Sequence, residues 1–334
     1  MTSKHSGQPR CQGMTAKNTP CKNKALEGQA FCAMHQEKDS DNGLLNSFPR
    51  DSETPTEKCI ETFKECMEFI RRRRAGDYEI DDWGRDDELT QRAMFAVRFI
   101  YKYYWRVTVT GVENVPVDGR CLLVANHSGV LPYDGAMVVM AVNEEHPHPR
   151  LVRALVLSLV FKLPVTGPLL LRLGGVQASP ENAEKLLMQD ELVLVFPEGI
   201  KGIGKPFSKR YQLARFGRGG FTRVALKTKS PIVPVSIVGA EEIHPMLYNM
   251  KPLASLLGIP YVPLTPTFPW LGPLGFVPLP TKWHIHFDAP IRLQDVECRP
   301  SEEPLLVSKV SNQVRDTIQR RIYDILKKRR GVFL

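Results

Sequence analysis

A histidine and an aspartate stand close together in this 334-residue sequence, next to apolar segments. His127 follows the apolar run Cys121–Ala125, and Asp134 comes just before an apolar helical pattern. A histidine beside a carboxylate is suited to general-base catalysis, because the carboxylate can hold the imidazole tautomer. The alternative is that Asp134 only caps a helix and His127 only occupies a turn. We therefore predict that His127 and Asp134 are a catalytic base and its orienting partner.

A second apolar run, Leu192–Phe196, ends in an acidic residue and a glycine, Glu198 and Gly199. Residues 200–229, which follow, contain no acidic side chain. They contain nine basic residues, as many as the net charge of the whole chain: Lys201, Lys205, Lys209, Arg210, Arg215, Arg218, Arg223, Lys227 and Lys229. Such a run either forms a solvated basic face or binds an anionic group.

Three cysteines and a histidine near the N-terminus are ligand types suited to one tetrahedral zinc ion: Cys11, Cys21, Cys32 and His35. Residues 1–36 hold few apolar side chains, so they need such a staple to fold. They also resemble short zinc-binding modules with a Thr-Pro-Cys centre and a Gly-x-x-Phe-Cys-x-x-His end. We predict a structural zinc module here; the alternative is a disordered tail with free thiols. We expect the other four cysteines to lie in the core: Cys59, Cys66, Cys121 and Cys298.

Alternating short strands and helices must position the candidate residues. Turn formers in 37–56 indicate a linker, so the main domain is predicted to run over 57–334. Two amphipathic helical patterns come first, and strands are then expected near Val107–Val109 and at Cys121–Ala125, Leu192–Phe196, Ile232–Val238 and Trp283–Phe287. Later helices are expected at Gly135–Asn143, Pro180–Gln189, Phe216–Lys227 and about 302–328. This alternation predicts an α/β fold whose sheet is covered by helices on both faces.

Composition excludes several classes of protein. With 43% hydrophobic and 24% charged residues, the chain is neither wholly disordered nor collagen-like. A net charge of +9 favours an anionic partner, such as a membrane surface or a phosphorylated substrate. The polar N-terminus and the odd number of cysteines argue against secretion, so we expect a reducing cytosol. The longest uncharged stretch, Pro252–Thr281, contains eight prolines and cannot be one transmembrane helix.

Three motifs occur in an order that resembles the phospholipid/glycerol acyltransferase superfamily, in particular the 1-acylglycerol-3-phosphate acyltransferases. The resemblance covers roughly residues 105–295. Its motifs are Asn126-His127 with Asp134, Phe196-Pro197-Glu198-Gly199, and Pro231-Ile232-Val233-Pro234-Val235 with Gly239-Ala240-Glu241. It implies a mixed sheet covered by helices, preceded here by a helical segment and the zinc-binding-like module.

The resemblance also implies an activity and a set of site residues. A fatty acyl group moves from a thioester of coenzyme A or acyl carrier protein to a hydroxyl of a glycerolipid such as lysophosphatidate, with no redox cofactor. His127 removes the hydroxyl proton and Asp134 orients the imidazole. By the same analogy, Glu198 and Gly199 position the acceptor. The basic run then holds a phosphate of the acceptor or of coenzyme A; the predicted binding residues in it are Lys201, Lys205, Lys209 and Arg210.

Two departures from the family pattern concern the dyad and the acceptor. Six residues separate His127 from Asp134 where the family commonly has four, so the dyad requires a bulged loop. The family's phosphate-binding arginine is missing from 174–179, and Lys201 replaces the arginine expected after the glutamate motif. Lysine keeps the charge but loses the bidentate fork. A neutral glyceride or another alcohol therefore remains an alternative acceptor.

Acyl chains reside in bilayers, so we expect the enzyme to be peripheral on the cytoplasmic face of an anionic membrane. Two uncharged or weakly charged segments are candidate interfacial surfaces: Pro252–Pro280, with Trp270 and Phe276, and Leu151–Leu171. The C-terminal segment Lys309–Arg330 holds eight basic and two acidic residues and would add attraction to anionic lipid.

Two readings of another class compete with an acyltransferase. One is an inactive protein that binds nucleic acid through the zinc module and the basic segments. The basic run has few interleaved aromatic side chains, so no nucleic acid partner is expected. The other is a lipid-binding module without turnover, which would release no free thiol from an acyl thioester.

Overall fold

The computed structural model describes residues 55–128, 131, 133–217, 219–257, 261–293 and 303–334; for 55–60 and 257 it describes the backbone alone. The chain divides into two compact units, Met1–Tyr78 and Glu79–Leu334. In the first unit the described part is dominated by one helix, α1 (Pro55–Ala75). The predicted zinc module and most of the predicted linker lie outside the described residues.

The described strands of the second unit form two sheets. They are β1 (Thr108–Thr110), β2 (Cys121–Ala125), β3 (Val152–Val156), β4 (Val176–Gln177), β5 (Leu192–Val195), β6 (Ile232–Val238), β7 (Tyr248–Asn249), β8 (Pro263–Leu264) and β9 (His284–Phe287). A seven-stranded mixed sheet forms the centre of the unit, in the order β1-β9-β6-β2-β5-β3-β4. Strand β9 runs antiparallel to β6, whereas the other neighbouring pairs are parallel. A separate two-stranded ribbon pairs β7 with β8.

Helices connect these strands and cover the sheet, which confirms the predicted α/β class. They are α2 (Asp87–Phe99), α3 (Tyr133–Glu145), α4 (Ser158–Phe161), α5 (Thr166–Arg172), α6 (Pro180–Met188), α7 (Ile200–Ile203), α8 (Gly220–Lys227), α9 (Lys251–Leu257) and α10 (Glu303–Lys328). Helix α2 continues into a π-helical turn, Ile100–Tyr104. Ser179 accepts a hydrogen bond from the Asn182 N–H at the start of α6, which begins at Pro180 as the sequence predicts.

Strand β2 lies between two hydrophobic cores, one on each face of the sheet, and contributes side chains to both. Successive side chains of a strand point to opposite faces. Leu123 and Ala125 accordingly join the core beneath α3, and Leu122 and Val124 join the core formed with α6, α8 and α10. All five residues of β2 are buried. Burial on both faces explains why this strand reads as a continuous apolar run.

The candidate site lies where three neighbouring parallel strands end. Leu123 of β2 pairs with Leu194 of β5 on one side and with Val233 of β6 on the other. Because parallel strands have their carboxyl ends at one edge, the segments after β2, β5 and β6 emerge together. His127, Glu198 and Glu241 are in these three segments.

A side-chain clamp fixes the end of β2. The Nδ2 of Asn126 donates to the Ile237 carbonyl at 3.0 Å, and its Oδ1 accepts from the Ile237 N–H at 2.7 Å. Asn126 is fully buried. An unpaired buried amide would be destabilising by about 1 to 3 kcal/mol, so both partners must be present. The clamp therefore sets where the next residue, His127, leaves the sheet.

Helix α10 packs across the second core through one apolar face, on which Val310, Val314, Ile318 and Ile322 are buried. Arg321 Nη2 lies 2.6 Å from Asp288 Oδ1, and the buried Arg329 Nη1 lies 2.6 Å from Glu242 Oε2. Burial alone would raise the pKa of Asp288, but hydrogen bonds from His286 and Arg321 hold it below its usual value. Two of the basic side chains expected to attract lipid are thus neutralised within the fold.

Three sequence expectations need correction. The beginning of Leu151–Leu171 is not interfacial, because it is strand β3, where Arg153 is buried and paired with Asp81 and Glu191. Leu163, Val165 and Leu169 are exposed, so an interfacial role of the later part stays a prediction. Cys66 is exposed rather than core. Helix α8 begins at Gly220, four residues later than expected, because Gly219 before it has a left-handed backbone with φ of 73°. In the part of the chain that the structure describes, no helix is long and apolar enough to span a bilayer.

Candidate functional site

His127 and Asp134 meet in spite of the long loop between them. The Nδ1 of His127 lies 2.7 Å from Oδ2 of Asp134. A carboxylate facing Nδ1 favours the tautomer that carries its proton there, which leaves Nε2 free to accept one. The His127 side chain retains 13% exposure, whereas Asp134 is fully buried. The arrangement has the geometry of a general base with an orienting acid.

Backbone groups and a ring hold the dyad. Asp134 Oδ2 also accepts from the Ser128 N–H at 2.9 Å, and its Oδ1 accepts from the Gly135 N–H at 2.9 Å. The imidazole of His127 stacks on Phe196 with ring centroids 4.4 Å apart. A carboxylate with several donors stays fixed, and a ring stacked on a neighbour has few alternative rotamers. Asp134 therefore restrains one edge of the His127 imidazole, and Phe196 restrains its face.

Glu198 supports the catalytic loop. Its side chain is fully buried. Oε1 accepts from the His127 N–H at 3.0 Å, and Oε2 accepts from the Ala214 N–H at 2.6 Å. Both oxygens thus accept hydrogen bonds from the protein, and the predicted role of Glu198 in positioning the acceptor stays a prediction. Its neighbour Gly199, with φ of 54°, is exposed at the start of α7 and makes the turn there.

Lys205 completes a buried ionic cluster beneath this loop. Its Nζ lies 3.5 Å from Glu198 Oε2 and 3.0 Å from Glu241 Oε1. Glu241 Oε2 accepts from the Tyr211 N–H at 2.9 Å. Burial raises the pKa of Glu241, and the opposing charge of Lys205 offsets part of this rise. Lys205 is therefore paired with two carboxylates of the protein, and its predicted role in substrate binding stays a prediction.

Gly202 allows α7 to pack directly on the catalytic turn. A Cβ at this position would lie 2.7 Å from both Cβ and the carbonyl oxygen of His127, and 2.9 Å from Cβ of Glu198. Real Cβ atoms do not approach so closely, so only glycine fits without moving His127. Sequence reasoning missed this residue, because nothing local distinguishes it from other loop glycines.

A cavity of about 610 Å³ lies beside the site, between the basic run and α10. Four basic side chains line it: Lys201, Arg215, Arg223 and Arg315. Of the other predicted binding residues, Lys209 and Arg210 are exposed on the turn 207–210 and are not among its lining residues. The structure thus separates Lys201 from the rest of the predicted set.

Tyr261 lies beside the end of α7, where a Cβ on Gly204 would be 3.5 Å from its ring. Burial and, next, the charge of Asp134 raise the pKa of Tyr261 to about 12. The proposed zinc ligands Cys11, Cys21, Cys32 and His35 lie outside the described residues, so the zinc site stays a prediction. Among the described residues, no group of three or more His, Cys, Asp or Glu side chains is arranged to hold a metal.

Comparison with known proteins identifies relatives over much of the chain. Residues 106–238 match the protein family described as Acyltransferase. An uncharacterized protein of Mycobacterium tuberculosis is 49% identical over 266 residues, which are 79% of this chain and 74% of that protein. Phytyl ester synthase 2 of Arabidopsis thaliana is 32% identical over 149 residues, 40% of this chain and 20% of that enzyme. The 1-acyl-sn-glycerol-3-phosphate acyltransferase BAT2 of Brassica napus is 27% identical over 157 residues, 44% of this chain and 41% of that enzyme.

Replacing the base should abolish most turnover without unfolding the protein. We expect His127→Ala to lower the rate of acyl transfer by about 10² to 10⁴-fold, because general-base catalysis contributes about that much. Asp134→Asn should also lower kcat, since an amide does not enforce the same imidazole tautomer. Steady-state kinetics measures both, with circular dichroism to check folding. A folded His127→Ala enzyme with a near-normal rate would refute the assignment.

Gly202→Ala should impair the reaction more than the stability, because the added methyl group displaces His127 or Glu198. The matched control is Gly220→Ala, where a Cβ would meet no atom within 4 Å. We expect kcat to fall at least several-fold in the first variant and to stay unchanged in the second. Equal kcat values for the two alanine variants, at similar thermal stability, would show that the close packing is not needed for catalysis.

Proposed function

We propose that this protein, of which residues 106–238 match the Acyltransferase family, transfers a fatty acyl group from a thioester to a hydroxyl of a glycerolipid. The observation that carries this proposal is the 2.7 Å contact between His127 Nδ1 and Asp134 Oδ2, which leaves Nε2 available as a base. The matched range 106–238 contains both residues together with Glu198, whose carboxylate binds the His127 N–H.

The proposed reaction needs no covalent enzyme intermediate. Nε2 of His127 takes the proton of the acceptor hydroxyl while the hydroxyl oxygen attacks the thioester carbonyl carbon. The tetrahedral oxyanion collapses, the C–S bond breaks, and the thiolate takes the proton from the imidazolium. Asp134 stabilises the imidazolium between the two steps, because a buried carboxylate interacts strongly with a neighbouring positive charge. Ester and free thiol are the products.

We propose a phosphorylated glycerolipid as the acceptor, with Lys201 as its phosphate ligand. Lys201 precedes Gly202, which packs against His127, so its backbone lies next to the catalytic turn. Its side chain lines the basic cavity, in contrast to the buried and paired Lys205. The name of the Brassica relative, a 1-acyl-sn-glycerol-3-phosphate acyltransferase, describes an enzyme for such an acceptor.

A neutral alcohol is the second candidate acceptor. The family's phosphate-binding arginine is missing from 174–179, where Val176–Gln177 forms strand β4. The Arabidopsis relative is named a phytyl ester synthase, a name that denotes esterification of an alcohol without phosphate. Lys201 supplies one point charge in place of an arginine fork, so discrimination by phosphate would be weaker than in an enzyme with arginine.

An acceptor panel combined with one variant distinguishes these possibilities. We expect Lys201→Ala to raise KM for lysophosphatidate about ten- to a hundredfold, the loss of one charged hydrogen bond, and to leave KM for a monoacylglycerol or a long-chain alcohol unchanged. Mass spectrometry identifies the acylated products, and thiol release confirms turnover. The control is Lys227→Ala, whose ammonium pairs with Glu184 at the surface.

A wild-type preference for neutral acceptors would overturn the phosphate assignment. An increase in the donor KM with every acceptor would instead place Lys201 on the thioester donor. Binding of lipid without any thiol release would refute the enzymatic proposal and favour a lipid-binding module.

We also propose that the enzyme works at a membrane surface, docking through the loop 268–277. Trp270 is 74% exposed and Leu274 is 69% exposed, and Leu271 is more than half exposed. Apolar and aromatic side chains at this level of exposure are suited to insertion among lipid headgroups. His244 anchors the loop, because its Nε2 donates to the Phe276 carbonyl at 3.0 Å and its ring stacks on Tyr133, the residue before Asp134.

Vesicle sedimentation tests the docking loop. The double variant Trp270→Ser, Leu274→Ser should bind anionic phospholipid vesicles several-fold more weakly than wild type, because it removes most of the insertable apolar surface. The control is Leu305→Ser on α10, which removes an equally exposed leucine elsewhere; Leu305 is 76% exposed. Unchanged vesicle binding of the double variant would exclude the loop as the docking element.

A further inference from the structure

The basic cavity carries more positive charge than one acceptor phosphate requires. Arg215, Arg223 and Arg315 line it in addition to Lys201, and no carboxylate is among the lining residues that the structure describes. Two acidic residues approach from outside that lining: Glu303 Oε1 lies 3.3 Å from Arg223 Nε, and Asp316 Oδ1 lies 3.4 Å from Arg315 Nη1. These pairs are partly exposed and therefore weak, so the cavity keeps a strong preference for anions.

The walls of the cavity are suited to a ligand with several polar groups. Ser308, Ser311 and Asn312 of α10 line the side opposite the basic run. The floor is closed by Gly219, where a Cβ would lie 2.4 Å from Cγ1 of Val307, so α8 begins in direct contact with α10. A volume of about 610 Å³ is within the usual range of small-molecule sites, about 300 to 1,000 Å³.

The cavity lies beside the dyad but does not include it. Its lining residues contain none of His127, Asp134 or Phe196. The connection is indirect: Arg215 follows Ala214, whose N–H binds the Glu198 carboxylate that also holds the His127 N–H. Arg315 reaches the same segment, because its Nη2 donates to the Leu213 carbonyl at 3.2 Å.

This position suits the remote end of a long substrate. In a glycerolipid acceptor only a few covalent bonds separate the reacting hydroxyl from its phosphate, so that phosphate must lie next to His127. In an acyl-coenzyme A donor the pantetheine arm separates the thioester from the pyrophosphate and the 3′-phosphate of the nucleotide. Three planar guanidinium groups also match several phosphate groups, since arginine binds phosphate oxygens in pairs.

We propose that Arg215, Arg223 and Arg315 bind the nucleotide phosphates of an acyl-coenzyme A donor, with Asn312 as a neutral hydrogen-bonding partner. The proposal rests on the proposed acyl transfer and names its donor. Lys201 lies at the side of the cavity closest to the catalytic turn. It keeps its proposed role as the ligand of the acceptor phosphate.

Direct binding tests the proposal without any turnover. Isothermal titration calorimetry of the full-length protein with coenzyme A, adenosine 3′,5′-bisphosphate and inorganic phosphate should show binding of the first two and little of the third. Arg315→Gln and Arg223→Gln should each weaken binding of the bisphosphate about ten- to a hundredfold. Arg315→Gln also removes a hydrogen bond to the Leu213 carbonyl and could disturb the fold. The Arg223→Gln variant keeps the test valid in that case. The control is Arg320→Gln on α10, the helix that carries Arg315. In the hydrogen bonds described, the exposed guanidinium of Arg320 contacts only its own helix.

Steady-state kinetics then shows whether the arginines bind the phosphates of the donor or the phosphate of the acceptor. With acyl-coenzyme A as donor, the two arginine variants should have a raised donor KM; with an acyl-pantetheine thioester, which lacks the nucleotide, they should match wild type. A raised acceptor KM with both donors would overturn the proposal, and so would equal bisphosphate affinity in all variants. Turnover with acyl carrier protein but no binding of coenzyme A would also overturn it. Arginine-dependent bisphosphate binding without acyl transfer to any acceptor would uphold this site and refute the proposed function.

Discussion

The geometry of the site depends on the contacts of one buried carboxylate, that of Glu198. A carboxylate taken out of water is strongly destabilising unless donors surround it. Here the donors come from different segments: the His127 N–H after β2, the Ala214 N–H of the basic run, and the Lys205 ammonium. Lys205 extends the network to Glu241 after β6. The requirement to satisfy one buried charge therefore ties together the ends of three adjacent strands.

This network also explains how a longer loop preserves the dyad. His127 is held at its backbone by Glu198 and at its ring by Phe196, and Asp134 is held at the start of α3 by two backbone N–H groups. His127 is thus positioned by contacts with other segments, and Asp134 is held by the start of α3 together with the backbone of the intervening residue Ser128. The number of intervening residues can differ from the family pattern while the Nδ1 to Oδ2 distance stays at 2.7 Å.

Basic residues that look alike in the sequence fall into two groups in the structure. Lys205 and Arg329 are buried against carboxylates and hold the fold together. Lys201, Arg215 and Arg315 line an open cavity, where their charge is available to a ligand. The net charge of +9 is therefore not a measure of one binding surface. Desolvation decides the difference, since a buried cation requires a paired anion and a cation facing water does not.

The sequence by itself determined the features that depend on local pattern. Strands β2 and β6 occur at the predicted residues, because an apolar run bounded by turn formers has few other solutions. The start of α6 is also as predicted, since Ser179 and Pro180 form a local start signal. The contact between His127 and Asp134 was indicated by residue types next to a strand end, and the match of residues 106–238 to the Acyltransferase family was indicated by three motifs in order.

Only the tertiary structure decided which polar side chains pair with other groups of the protein and which face a cavity or solvent. Strand β3 escaped prediction because Arg153, a charged residue, is buried there by carboxylates distant in the sequence. The need for glycine at 202 arises from contact with His127, and α10 meets the basic run where Arg315 donates to the Leu213 carbonyl, 102 residues earlier. These properties depend on long-range packing and on desolvation, which are set by what the folded chain places around each side chain rather than by its neighbours in sequence.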